Sequence, residues 1–268
     1  MNDQGAFKVE KDGFITWLTL NQPEKHNTMN LLFFEDLIHL LGGFDEDPEV
    51  RVVIIKAEGK SFSAGTDFTD VAAMLQGKGA DFREILRKKI IHLQEGITAI
   101  ERCRKPVIAA VHSHCVGGGV DLLSACDIRM ATRDALFSIR ETRVAIIADL
   151  GTLQRLPHII GHGWFRELAL SGRDFSAEEA LKMGFITRLC EEREALYEEA
   201  RKLATKIAAC SPLAVQGVKE VLLYSRDHGV HSGLKYVAQK NADLLPSEDL
   251  MEALEAFMQK RPAKFKGK

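Results

Sequence analysis

Two nearly continuous β-branched and small apolar runs constrain this chain more than any other feature. Val50 to Ala57 reads Val-Arg-Val-Val-Ile-Ile-Lys-Ala, and Val107 to Val111 reads Val-Ile-Ala-Ala-Val. Neither run alternates as a half-exposed strand does, and such strands occur where a parallel sheet is covered on both faces. Each run follows a segment with helical spacing. The first runs from Met29 to about Phe44, with Leu31, Phe34, Leu37, Ile38 and Leu41 on one face, and is expected to end near Gly42-Gly43. The second runs from Asp81 to Cys103, with apolar residues at 82, 85, 86, 90, 93, 97 and 100. The repeat predicts an α/β fold. It is preceded by a hairpin in which Lys11-Asp12-Gly13 separates the β-rich runs Phe7 to Glu10 and Phe14 to Leu20.

Further along, Gly117-Gly118-Gly119 opens a short helix, and short strands are expected at Asp127 to Ala131 and Ala135 to Ile139. Beyond Gly151 helical patterns dominate: Thr152 to Ile160, Trp164 to Leu170, Ala177 to Met183, and about 193–209, 212–225 and 247–260, with one short strand at Phe185 to Arg188. At roughly 150 residues per domain, a length of 268 allows two domains or one large one. No linker or low-complexity segment intervenes, so the expectation is an α/β core over 1–192 with a helical extension over 193–268.

Composition excludes several classes of function. A formal charge of −2 supplies no field that would select nucleic acid, and no apolar run reaches the ~18 residues of a membrane span. Five scattered cysteines without a Cys-x-x-Cys pair suit a reducing compartment. The first residues resemble neither a secretion signal nor a transit peptide, and Lys266-Gly267-Lys268 is not a Ser-Lys-Leu address, which leads to an expected cytoplasmic location.

Three clusters could carry chemistry. Ser61-Phe62-Ser63-Ala64-Gly65-Thr66-Asp67 is a small-residue loop after a buried strand; it is either an ordinary turn or a place where backbone N–H groups approach a ligand. Gly117-Gly118-Gly119 precedes a helix, whose exposed N–H groups favour an oxyanion. Its spacing matches neither a Walker loop nor Gly-x-Gly-x-x-Gly, so an oxyanion site is preferred to a nucleotide site, with helix packing as the bland alternative. The third cluster is Asp121, Glu141 and Asp149. Asp149 stands in the apolar run Ala145-Ile146-Ile147-Ala148-Asp149-Leu150-Gly151, where burial would raise its pKa toward useful proton transfer, unless it only caps a helix at Thr152. Glu141 has Arg140 and Arg143 beside it and could be an ordinary ion pair. His112-Ser113-His114-Cys115 lacks a second ligand pair, so no metal is expected; strand alternation would put both histidines on one face.

Taken in order, Asn21-Gln22-Pro23-Glu24-Lys25-His26-Asn27-Thr28-Met29-Asn30, Phe62-Ser63-Ala64-Gly65-Thr66-Asp67, Gly117-Gly118-Gly119-Val120-Asp121, Cys126-Asp127-Ile128-Arg129 and Gln154-Arg155-Leu156-Pro157 resemble the enoyl-CoA hydratase/isomerase (crotonase) superfamily. The resemblance runs from about Phe7 to Lys260-Arg261-Pro262-Ala263-Lys264-Phe265. It implies a crotonase-like spiral core of repeated ββα units, and an acyl-CoA thioester substrate whose enolate is held by the N–H groups of Thr66 and Gly118. It also implies a CoA-contacting surface that includes Lys25, His26, Ala64, Gly65, Thr66, Asp67, Phe68, Gly118 and Lys264. Homotrimers or homohexamers, with the C-terminal helices between subunits, are implied as well. Hydratases of the family carry a glutamate where this chain has Asp121, and a glycine-rich stretch where it has Asp149. With Ser211-Pro212-Leu213-Ala214-Val215-Gln216-Gly217 and Tyr224-Ser225-Arg226-Asp227-His228, the pattern looks like the Δ3,5-Δ2,4-dienoyl-CoA isomerase branch. That implies Asp149 as base at C2, Glu141 as acid at C6, Asp121 as a tuning charge and no cofactor, since only protons move. A hydratase, an Asp-nucleophile hydrolase or dehalogenase of the superfamily, and a non-enzymatic acyl-CoA-binding or scaffold protein that has lost catalysis are the competing readings. The bulk of Ala145-Ile146-Ile147 is expected to shorten or redirect the acyl pocket.

Overall fold

The computed structural model describes residues 5–268. In chain order the elements are β1 (Phe7–Asp12), β2 (Ile15–Leu20), α1 (Leu31–Glu46), β3 (Val52–Ala57), α2 (Phe68–Met74), α3 (Gly79–Arg102), β4 (Val107–Val111), β5 (His114–Val116), α4 (Gly118–Ala125), β6 (Ile128–Thr132) and β7 (Leu136–Ser138). They continue with α5 (Thr152–Arg155), α6 (Pro157–Ser171), β8 (Asp174–Ser176), α7 (Ala177–Met183), β9 (Arg188–Cys190), α8 (Arg193–Ala208), α9 (Pro212–Leu244) and α10 (Glu248–Gln259). Six strands form one sheet in the order β1-β2-β3-β4-β6-β9, and β5-β7-β8 form a second. From β2 to β9 the main sheet is parallel, with the β1–β2 hairpin at its edge.

Both faces of the main sheet are covered. Val53, Ile55, Val107, Ala109 and Val111 point into a cluster with α1 and α3, through Phe34, Leu37, Leu41, Leu93, Ile97 and Ile100. The intervening Val52, Ile54, Ile108 and Ala110 face Leu196, Ala200, Ala204 and Ala208 of α8. The second face is thus closed by the first helix beyond residue 192. The small side of α8, an alanine every fourth residue, lets the helix lie close on the strands.

Local departures from expectation have packing causes. Helix α1 continues through Gly42 and Gly43 to Glu46, because Phe44 is buried on the same face as Leu37 and Leu41. Two exposed helical glycines cost about 1 kcal/mol each, while one buried phenylalanine offsets about 1.5–3 kcal/mol. Phe185 and Ile186 are buried but form no strand; β9 begins only at Arg188. Helix α9 reaches Leu244 and bends at Gly229, which has φ +78°, so its second half escapes a single periodic reading. Ser113 takes φ +52° between β4 and β5. That left-handed residue breaks the expected alternation, so His112 is buried against the Gly59 carbonyl while His114 is exposed. No helix of the described residues is long and apolar enough to cross a membrane.

Candidate active site

Two loops at the C-terminal end of the main sheet meet. The first follows β3 and is stitched by its own polar side chains. Asn27 donates to the carbonyls of Glu58 and Ser61 at 2.8 and 2.9 Å. The Ser63 hydroxyl donates to the Asn27 carbonyl at 2.9 Å and accepts the Gly65 N–H at 3.1 Å. Met29 N–H donates to Gly65 O, and Asp67 N–H to Met29 O, at 2.8 and 3.0 Å. These bonds alternate past Thr66, whose N–H has no protein acceptor among the described residues.

The second loop turns from β5 into α4. Val116 N–H donates to Ser63 O and Gly117 N–H to Ser138 O, which leaves Gly118 N–H as an open donor at the helix start. Gly65, at φ +88°, lets the loops touch: a Cβ there would lie 2.8 Å from Val116 O and 3.3 Å from Gly118 N. A Cβ on Gly118 would come within 3.4 Å of Thr66 N. The two open N–H groups therefore share one wall, and a single oxygen can accept from both.

That wall borders a cavity of about 580 Å³, into which Thr66, Gly118, Asp121, Glu141 and Asp149 converge. Its remaining surface is mainly apolar and comes from Phe34 on α1, Met74 on α2, and Leu86, Ile90 and Leu93 on α3. Val144, Ala145 and Ile146 line it as well, whereas Ile147 points outward and is 76% exposed, so the bulk of this segment is only partly turned into the cavity.

The three carboxyls differ in what holds them. Asp121, fully buried on α4, accepts the Thr152 N–H at 2.7 Å and so caps α5 from 31 residues away. Asp149 does not cap that helix; Gly151, at φ +123°, occupies the cap position. Burial, reinforced by the charge of Asp149, raises the Asp121 pKa to about 6. Glu141 opens a single 3-10 turn, Glu141–Val144. Its Oε1 lies within 3.5 Å of where a Gly117 Cβ would stand, and its Oε2 is buried without a partner among the described residues. The neighbouring arginines do not pair with it: Arg140 binds Asp174, and Arg143 turns toward the Ser171 carbonyl. Burial, then the charge of Asp121, raises Glu141 to about 7. The Asp149 pKa is also raised by burial. The cavity therefore holds an acid able to give a proton near neutral pH and a carboxylate able to take one.

Of the remaining expected residues, Lys25 and His26 sit on the turn beside this loop, with His26 O accepting Ala64 N–H and His26 Nδ1 3.3 Å from Ser61 Oγ. Ala64, Gly65 and the exposed Phe68 line the cavity, and Asp67 caps α2 by accepting Thr69 N–H. Lys264 is elsewhere. Its N–H donates to Glu252, and the adjoining Phe265 carbonyl accepts from Arg51, which precedes β3 at the strand end away from the loop. Lys264 does not join the other residues in this chain. Sequence reasoning missed the apolar wall from α1 and α3, whose residues read only as core. It also missed Gln94, which donates to Asp149 O at 2.7 Å and carries no motif.

The enoyl-CoA hydratase/isomerase family profile matches residues 10–268. The chain is 45% identical over 259 residues to the peroxisomal Δ(3,5)-Δ(2,4)-dienoyl-CoA isomerase of Arabidopsis thaliana, covering 95% of this chain and 93% of that one. It is 44% identical over 250 residues to the mitochondrial Δ(3,5)-Δ(2,4)-dienoyl-CoA isomerase of Mus musculus, covering 91% and 76%. The short-chain-enoyl-CoA hydratase of Clostridium acetobutylicum is 31% identical over 254 residues, covering 94% of each. Among solved structures, the enoyl-CoA hydratase of Bacillus anthracis superposes with a TM-score of 0.91 at 32% identity, over 98% of this chain and all of that one. The peroxisomal and mitochondrial isomerases overturn the expectation of a cytoplasmic location. A compartment is set by short segments that receptors read, so near-neutral composition and cysteine usage carried no information about it.

Proposed function

The chain belongs to the enoyl-CoA hydratase/isomerase (crotonase) family, and on that premise we propose that it converts 3,5-dienoyl-CoA to 2,4-dienoyl-CoA in fatty acid β-oxidation. The observation that carries this reading is the pairing of one raised, unpartnered acid, Glu141, with a second carboxylate, Asp149, in the cavity that holds the two open N–H groups.

The thioester oxygen accepts from Thr66 and Gly118 N–H. Asp149 removes a proton from C2, and the electron pair delocalises onto that oxygen as a dienolate. Fixed donors aimed at developing charge supply the main stabilisation, about 3–4 kcal/mol per donor in other systems. Glu141 then protonates C6 and the electrons return along the chain, leaving the double bonds at C2 and C4. C2 and C6 are too far apart for one side chain to serve both, which is the reason for two carboxyls. Asp121 keeps its place through Thr152 N–H and raises Glu141 by its charge, so it tunes the acid. Protons alone are moved, so the reaction requires no redox or metal cofactor.

A hydratase places two glutamates on one water. Here the first of those positions is Asp121, retracted onto the α5 amide, which favours isomerisation. Lys25, His26, Ala64, Gly65, Thr66, Asp67, Phe68 and Gly118 form the proposed CoA-facing surface, and Lys264 serves a neighbouring subunit's site. The exposed Val218, Leu222, Val230 and Leu234 on α9 and Phe257 on α10 support a homotrimer or homohexamer. The test supplies 3,5-dienoyl-CoA and 2-enoyl-CoA in parallel and follows ultraviolet absorbance. Growth of the 2,4-dienoyl band in the first and a slow reaction in the second are expected. Rapid loss of the 2-enoyl band with no diene conversion would overturn the reading.

A further inference from the structure

The segment that carries Asp149 packs into the core through Ala148 and Leu150. Behind it lies a second, polar cavity of about 360 Å³, bounded by Gln94 and Thr98 of α3, His158 of α6 and Asp227 of α9. Asp149 and Leu150 border both cavities, so, beside the packing of Ala148 and Leu150, the hydrogen bonds to this segment's backbone bear on where the Asp149 carboxylate stands.

Those bonds come from one cluster. Gln94 donates to the Asp149 carbonyl at 2.7 Å. Arg155 donates to the Leu150 carbonyl at 3.3 Å and to Thr98 Oγ1 at 3.1 Å. Its guanidinium lies against Gly151, where a Cβ would meet Nη1 at 1.8 Å. Arg155 is itself held by Glu101 on α3, at 3.1 Å, in a nearly buried ion pair. Glu101 uses its other oxygen to bind Arg226 of α9, which also pairs with Asp227 at 2.7 Å. A chain of contacts thus runs from α9 through Glu101 and Arg155 to the carbonyl of Leu150, the residue after Asp149, while Gln94 holds the carbonyl of Asp149 itself.

We propose that Gln94 and the Arg155–Glu101–Arg226 triad are positioning residues that aim the Asp149 carboxylate at the substrate, with α9 as one end of the clamp. None of them faces the cavity of the open N–H groups. Their effect is therefore on the chemical step and not on acyl-CoA binding. A carboxylate displaced by about 1 Å from its proton loses on the order of 100-fold in rate while the CoA contacts stay intact.

The inference rests on Asp149 as the C2 base. The experiment compares the wild-type chain with Gln94→Leu, Arg226→Gln and Arg226→Lys. It measures kcat and KM on 3,5-dienoyl-CoA, and separately the exchange of C2 protons into heavy water by NMR of a bound saturated acyl-CoA, whose C2 protons are acidic. Gln94→Leu and Arg226→Gln are expected to lower kcat and C2 exchange about 10- to 100-fold with KM within about threefold, and Arg226→Lys to recover most of the loss. Kinetics at the wild-type level in Gln94→Leu overturn the proposal, as does a loss that only follows the folded fraction seen in thermal melts. Gln94→Leu leaves the triad intact and decides the matter if Arg226→Gln does not fold. A wild-type chain that exchanges C2 protons but isomerises no diene would refute the assigned reaction, and the clamp would still be judged on exchange.

Discussion

Replacing Asp121 with asparagine separates what its charge does for the reaction from what it does to the fold. The asparagine oxygen can still accept Thr152 N–H, so the cap on α5 survives while the buried charge disappears. The folded-state pKa of Asp121 is about 6 against an ordinary 3.8, raised first by burial. At about 1.4 kcal/mol per pH unit, that difference is worth about 3 kcal/mol. The sign follows from proton binding. The folded state holds the proton more tightly than the unfolded chain, so the stability is fully present below about pH 4 and is lost as pH rises to about 6. Asp121→Asn has no such loss. Its melting temperature is expected to match wild type near pH 4 and to exceed it by roughly 6–12 °C at pH 8, the spread being that of chains this size. Because the Asp121 charge helps raise Glu141, the same variant lowers the Glu141 pKa and reduces isomerase activity at pH 7.5. Thermal melts and activity measured across pH 4 to 8 check both halves. Parallel melting curves for the two proteins over that range would refute the assignment of Asp121 as a buried charge.

Other outcomes follow from the same cavity. The rate should rise as Asp149 loses its proton and fall again near pH 7 as Glu141 loses its own, giving a bell whose limbs belong to the coupled acids; Glu141→Gln should remove diene production and still permit C2 exchange, and the absence of exchange in that variant would transfer the base role away from Asp149. Gly65→Ala adds a Cβ 2.8 Å from Val116 O at a left-handed residue. It should part the two loops, lower kcat by about 10²–10³ and cost about 1–2 kcal/mol of stability, so a near-normal kcat would mean that the loops do not jointly hold the oxyanion.

Legibility in the sequence tracked the range of the interactions. The β3 and β4 runs, the glycine triplet at the start of α4 and an aspartate inside an apolar stretch are local signals, and each falls where the pattern placed it. Three-residue strands such as β5 and β8 are too short for any period to register, and the seven-residue α2 carries only one buried side chain, Met74. The partner of Asp121 was not legible, because a residue on α4 caps a helix that begins at Thr152, while Asp149, three residues before that helix, looked the better cap. Glu141 gave a misleading local signal of another kind. Two adjacent arginines suggested an ion pair, yet the turn directs Arg140 to Asp174 and leaves a glutamate oxygen buried alone. Sequence proximity predicts which charges can meet, and burial then selects which of them do.

Three carboxyls with raised pKa values in one cavity oppose folding, and their retention needs a division of labour. Asp121 supplies it through the length of its side chain. Its carboxyl stops at the α5 amide, where it fixes the helix that follows the Asp149 segment and lends its charge to Glu141. A glutamate there would reach one methylene further into the cavity, alongside Glu141, where two carboxyls can grip a single water. With the shorter residue, Glu141 has its own oxygen unpartnered and a pKa of about 7, while Asp149 stands on a segment clamped from behind by Gln94 and Arg155. In the proposed roles, acid and base then stand at two separate points along the acyl chain. Proton removal at one carbon and return at a distant one, with the negative charge held meanwhile on the thioester oxygen by the N–H groups of Thr66 and Gly118, is the chemistry that such a separation serves.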